Sequence, residues 1–208
     1  MNIDQAYTTW SATYDHDRNR TRDLDAEVTR TLLDGWHGDR ILEFGCGTGK
    51  NTVLFADRAR EVRALDFSEG MLARAREKVT AAHVTFLQAD LTQPWPCETA
   101  WAGLVIGNLV LEHIADLGPV FAEAARVLAP GGVLLMSELH PFRQNQGTQA
   151  NFEQGGVVTE VAAYVHHVSD FTEAARAAGL VLDSVREWWH AEDEGKPPRL
   201  LTLRCRKP

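Results

Sequence analysis

The chain has 208 residues, 44% of them hydrophobic, with a net charge of −8 and a pI near 5.5. That length suits one domain with a sizeable core, residues 1–208. An acidic chain without a Lys/Arg run lacks the basic footprint that binding a phosphate backbone needs, so nucleic acid is not expected as a partner.

Cys46, Cys97 and Cys205 show no C-x-x-C spacing and indicate neither a disulfide framework nor a zinc site. The start of the chain carries no apolar signal segment, and no run of about 18 apolar residues exists to span a bilayer. A soluble cytoplasmic protein without a membrane partner is the expectation; the sequence leaves a homodimer open.

In chain order, residues 1–37 read as a helical cap. Tyr7, Trp10 and Tyr14 stud a polar opening, and Leu24, Val28 and Leu32 then draw an apolar stripe at four-residue spacing. Asp23 is placed to cap that helix and Gly35 to end it. From 38 to 140 the pattern repeats strand, loop, helix. Ile41 to Phe44 is a buried strand; Gly45, Gly47 and Gly49 follow, then Asn51 to Ala56 as the start of a helix. Glu61 to Leu65 is a second strand ending in Asp66. Ser68 caps a helix carrying Met71 and Leu72. Val84 to Leu87 leads to Asp90, and Ala100 to Ile106 reads as a strand buried on both faces. Pro119 suits a first helical turn, Pro130-Gly131-Gly132 stops that helix, and Val133 to Met136 is the fifth strand. Residues 141–168 break the rhythm with Gln, Asn and Gly and a short strand near Val157 to Val161, the signature of a functional cover. Ser169 or Asp170 caps a last helix, followed by strands at Leu180 to Arg186 and Leu200 to Cys205. Strands alternating with helices imply a mostly parallel sheet with helices on both faces.

The alternating glycines between strand and helix mark a nucleotide-type loop, where a ligand approaches the backbone unobstructed by a Cβ. A phosphate loop of the form G-x-x-x-x-G-K-[ST] fails at Phe44 and Asn51. A dinucleotide G-x-G-x-x-G is weakened, though not excluded, by Lys50 in its third position. The pattern [DE]-x-G-x-G-x-G is met in full by Glu43, Gly45, Gly47 and Gly49. Here the chain resembles the class I S-adenosylmethionine (SAM)-dependent methyltransferases. Gly107-Asn108-Leu109-Val110-Leu111-Glu112-His113 and the run from Arg126 to Leu134 extend the resemblance in the right order, over about residues 38–206.

The resemblance implies an α/β, Rossmann-like seven-stranded sheet whose seventh strand runs antiparallel, and SAM as cofactor. Glu43 would orient the glycine loop or the cofactor amino group, with Cys46 in the same turn. Asp66, 21 positions after Gly45, would accept from both ribose hydroxyls, flanked by Phe67 and Met71. Asp90 would meet the adenine amino group beside the Leu91 backbone. Asn108 and Leu109 would line the methionine end. Arg22 is the candidate for the methionine carboxylate, since a guanidinium pairs with it bidentately. Tyr14 and Trp10 either face the sulfonium, which aromatic rings attract, or simply pack the first helix onto the rest.

Because Leu109 and Val110 replace the prolines of an N-P-P-Y segment, and the chain is acidic, the expected acceptor is a small molecule. Methyl transfer by direct displacement to oxygen or nitrogen gains mainly from positioning. Four histidines lie near strand ends: His140 and His113 are the candidate bases, and His166 and His167, with Trp10 and Arg143, are candidate acceptor contacts. Their spacing supports no metal site. A non-catalytic SAM-binding module and a NAD(P)-dependent oxidoreductase stand as alternative readings.

Overall fold

The computed structural model describes residues 3–16, 19–154 and 157–208. Two helices come first, α1 (Ile3–Trp10) and α2 (Arg20–Leu32). The alternating core follows: β1 (Gly38–Phe44), α3 (Thr52–Ala56), β2 (Ala59–Asp66), α4 (Glu69–Lys78), β3 (Val84–Gln88) and β4 (Ala102–Asn108). It continues through α5 (Gly118–Val127) and β5 (Leu128–Leu139). The insertion contributes α6 (Pro141–Asn145) and a separate antiparallel pair, β6 (Asn151–Gln154) with β7 (Val157–Glu160); residues 155 and 156 lie outside the described residues. α7 (Val168–Ala177), β8 (Val181–Trp188) and β9 (Leu200–Arg206) complete the chain.

Seven strands form one sheet in the order β3-β2-β1-β4-β5-β9-β8. The first five in that order are mutually parallel, and β9 runs antiparallel to both β5 and β8. Strand pleating sends successive side chains to opposite faces. Leu42, Phe44 and Val105 therefore join the cluster under α5 and α7, while Ile41, Leu104 and Ile106 join Leu33 and Phe55 on the other face. The chain order reverses between β1 and β4, the position where open α/β sheets form a crevice at the carboxyl ends of their strands.

Several boundaries depart from the sequence expectation. α2 is capped by Asn19, whose side chain accepts from the Thr21 and Arg22 amides, so Asp23 falls in the first turn rather than at the cap. α3 has only five residues, too short to lend the glycine loop a helix-dipole contribution of any size. α7 starts two or three residues early: His167 is its N-cap and Asp170 accepts the His167 amide. β5 begins at Leu128, because Gly131, at φ +78°, turns the chain within the strand instead of ending the segment.

Close packing at β4 yields a test. A Cβ on Gly107 would lie 2.1 Å from the Phe44 ring, itself fully buried. Gly107→Ala is expected to lose about 1–3 kcal/mol by overpacking, measured by urea denaturation; an unchanged midpoint would contradict this packing.

Candidate active site

The loop from Gly45 to Gly49 turns at the end of β1 with all three glycines at positive φ, +70°, +53° and +76°. At Gly45 the need is also steric, since a Cβ would come 2.5 Å from the Val110 side chain. Asp66, at the end of β2, fixes the loop: its Oδ2 accepts the Gly47 amide at 2.8 Å and its Oδ1 the Ser68 amide at 2.9 Å. Ser68 Oγ in turn accepts from the Met71 amide at the start of α4.

Over this loop lies a cleft of about 310 Å³. Of the residues expected to hold a cofactor, Tyr14, Arg22, Glu43, Gly45, Cys46, Gly47, Asp66, Phe67, Met71, Asp90, Leu91, Asn108 and Leu109 line it; Gly49 shapes the turn from behind, against Ala75. Asp90 folds back on its own turn, one oxygen accepting from the amide and hydroxyl of Thr92. Leu109 takes φ +54°, a left-handed conformation that is uncommon for a branched side chain and concentrates at functional sites.

Asp25, which the sequence analysis did not single out, also lines the cleft. It accepts from Asn108 Nδ2 at 2.8 Å and Asn51 Nδ2 at 3.0 Å, so one carboxylate links α2, β4 and the turn before α3. Its only signal was position: Asp25 and Thr29, four apart, run alongside the apolar stripe, and both bond to Asn108. Glu43 is buried with Thr52 Oγ1 donating to it at 2.5 Å. Burial pushes its carboxyl up to about 8, the Thr52 hydrogen bond opposing and the charges of Asp66 and Asp25 adding. Burial raises Asp25 as well. Glu138 is buried behind the segment after β4 and accepts from the Val110 and Leu111 amides, which holds Leu109 in place.

A second, larger cavity of about 660 Å³ adjoins the first. The two share Tyr7, Tyr14, Arg22 and Leu109 as a common wall. The rest of the larger cavity comes from Trp10, the start of α2, Glu112, Leu139, Thr148 to Asn151 of the insertion, and His190, Glu192 and Arg199 before β9. Arg22 is buried; its Nη1 donates to the Tyr14 carbonyl, and the guanidinium lies 4.0 Å from the Tyr14 ring centroid and 5.5 Å from that of Trp10. Trp10 stands in the larger cavity only, packed on Val161.

The structure brings one of the four histidines to the cleft, His113. His140 accepts the Phe142 amide at Nδ1 and pairs with Glu187 at 2.9 Å, outside both cavities, because strand alternation gives that direction to Leu139 instead. Arg143 is likewise turned away: it bonds the Pro197 carbonyl and Asp193, which also holds Arg199 and so stiffens the wall before β9. His166 is buried against Phe171 with Nε2 on the Ile114 carbonyl, and His167 caps α7. None of these four residues lines either cavity.

Comparison with known proteins agrees with this geometry. A methyltransferase-domain family model matches residues 42–136. An uncharacterized methyltransferase of Emericella nidulans is 31% identical over 85% of this chain and 74% of its own length. The chain belongs to the class I SAM-dependent methyltransferases. A malonyl-[acyl-carrier protein] O-methyltransferase of Serratia marcescens is 38% identical over 49% of this methyltransferase, which spans 39% of that relative's length. The structure of the N-methyltransferase NodS of Bradyrhizobium japonicum with S-adenosylhomocysteine superposes at a TM-score of 0.75, with 19% identity over 100% of both chains. Family membership sets the dinucleotide reading aside.

The cleft of this methyltransferase fits SAM chemically. SAM carries an ammonium, a sulfonium and a carboxylate. The cleft offers the acids Glu43, Asp25 and Asp66 beside the cations Arg22 and Lys50, and apolar walls from Phe67, Met71 and Leu91 for the base. Asn108 Oδ1 is buried there with no hydrogen-bond partner among the described residues, an acceptor available to a donor-bearing ligand.

The Glu43 carboxyl sets a pH dependence. Its folded value of about 8 lies above the ordinary 4.5, so the stability of the free protein is full below the ordinary value and declines as pH rises through that window. Glu43→Gln removes the titrating group. The melting temperature of the variant relative to wild type should therefore climb from pH 5 to pH 8; parallel melting curves across that range would contradict the assignment.

Proposed function

We propose that this methyltransferase transfers the methyl group of SAM to an oxygen or nitrogen of a small molecule held in the larger cavity, by direct displacement. The observation that carries this reading is the pairing of two cavities across one wall. The smaller is built mainly from the loops after β1 to β4 and is closed by Tyr7, Tyr14, Arg22 and Asp25 from the first helices and the turn after α1; the larger draws on the first helices, the insertion and the segment before β9. A module that only sensed SAM would have no use for the second.

SAM, when bound, supplies an activated methyl group. The chain's own part is to hold it and exclude water. Asp66 and Asp90 would accept from the adenosine, Arg22 would pair with the carboxylate, and Asp25, Glu43 and Asn108 would receive the ammonium. Tyr7 and Tyr14 close the side toward the acceptor. The first helix and the turn after it are fastened over the cleft by polar ties: Thr8 Oγ1 with Ser68 Oγ at 3.1 Å, and Asp15 accepting from Thr48 Oγ1 and Lys78 Nζ, each at 2.7 Å. With water excluded, an in-line approach at contact distance gains most of its rate from orientation.

The Serratia relative is named for methylation of an oxygen. Its similarity covers about half of this chain, so oxygen gains no preference over nitrogen from it.

Incubation with methyl-labelled SAM and a low-molecular-weight metabolite extract tests the reading: label should appear in a small-molecule product. Label found only in macromolecules would contradict it. Asp66→Ala strands the loop amides and removes the ribose acceptor, a loss of about 1–3 kcal/mol. S-adenosylhomocysteine should bind roughly 5- to 150-fold more weakly by calorimetry, and unchanged affinity would remove Asp66 from the site.

A further inference from the structure

Tyr7 and His113 meet where the two cavities join. Tyr7, on α1, lines both; His113, in the single helical turn after β4, lines the cofactor cleft. The Tyr7 hydroxyl and His113 Nε2 are 2.6 Å apart, and His113 Nδ1 is 2.9 Å from the Ala162 carbonyl. A carbonyl only accepts, so Nδ1 carries the ring hydrogen. In the neutral ring Nε2 is then bare and accepts from Tyr7. The hydrogen bond has a direction: tyrosine gives, histidine receives.

We infer that Tyr7 and His113 form a two-residue proton relay that deprotonates the acceptor as it is methylated. Tyr7 touches the acceptor and is the catalytic residue; His113 acts through it. The inference rests on the proposed methyl transfer to a small molecule and adds the groups that handle its proton.

The step balances. The proton on the acceptor's oxygen or nitrogen passes to Tyr7 Oη, while the Tyr7 hydroxyl proton passes to His113 Nε2. The acceptor's electron pair forms the new bond to the methyl carbon with departure of the sulfur. Tyrosine ends neutral and the histidine ends as an imidazolium. That cation keeps both hydrogen bonds, donating from Nδ1 to Ala162 and from Nε2 to Tyr7, and has the Glu112 carboxylate 3.8 Å from Nε2.

The surroundings of Tyr7 explain why two residues are needed. Removal from water raises the Tyr7 hydroxyl well above its usual range, with Tyr14, Glu112 and Asp66 adding and Arg22 opposing. A phenol so placed does not rest as a base. It can take a proton only by giving one up, and Nε2 is the acceptor within reach. The ring is also well fixed, at 5.7 Å centroid distance from Trp10, 6.1 Å from Phe67 and 5.2 Å from His113.

The test uses 4-nitrophenol, whose phenolate is yellow, titrated into the protein across pH with and without S-adenosylhomocysteine. A relay that accepts the probe's proton lowers its apparent pKa. In wild type the shift should be about 1 unit, a tenfold gain in phenolate, and Tyr7→Phe and His113→Gln should each abolish it. Circular dichroism melts confirm that both variants fold; Tyr7→Phe keeps the stacked ring and disturbs packing least. Equal ionisation in all three proteins, or a wild-type protein that leaves the probe at its solution value, overturns the relay. Failure of wild type to bind S-adenosylhomocysteine would sink the cofactor reading separately, since the probe is also read without it.

Discussion

The Asp66 carboxylate is the tie on which the site depends. One oxygen holds the loop after β1 through the Gly47 amide, and the other holds the start of α4 through the Ser68 amide. Two neighbouring parallel strands thus end in loops fixed to each other rather than to the sheet alone. Backbone amides locked onto a buried carboxylate have few alternative arrangements, because breaking either bond strands a charge away from water. The left-handed turn at Gly47 is the geometry that lets its amide point back at β2.

From that tie the remaining electrostatics follow. Asp25, Glu43, Asp66 and Asp90 bring four acids to the cleft against the two cations Arg22 and Lys50, among polar side chains and apolar walls. Burial pushes Asp25 and Glu43 toward their protonated forms. A ligand bearing two cationic centres and one carboxylate reverses the balance. The family assignment and the charge pattern point to the same cofactor by independent routes.

The parts of the site that were legible in the sequence are those set by local spacing. Alternating glycines after a β-strand, an acid at the end of the next strand, and Asn108 and Leu109 after the fourth all declare themselves within a few residues. The mostly parallel sheet followed from the repeat of strand and helix, whereas the antiparallel β9 was implied only by the family resemblance. What stayed hidden depends on contacts far along the chain. Asp25 meets Asn108 across 83 positions and Tyr7 meets His113 across 106, and no periodicity records either. His140 misled for a smaller reason: one residue along a pleated strand changes the face, so Leu139 lines the larger cavity and His140 turns to Glu187. Arg143 was assigned to a ligand from its place in the insertion, yet Asp193 and the Pro197 carbonyl, both about fifty positions away, claim it.

A crystal structure grown with S-adenosylhomocysteine shows whether the Asp66 and Asp90 carboxylates and the glycine loop grip one adenosyl group. The account predicts the ribose within hydrogen-bond distance of Asp66, the adenine beside Asp90 and Leu91, and the sulfur directed at the wall formed by Tyr7 and Leu109. Density for the ligand elsewhere, or with Asp66 and Asp90 on opposite sides of it and out of contact, would contradict the account.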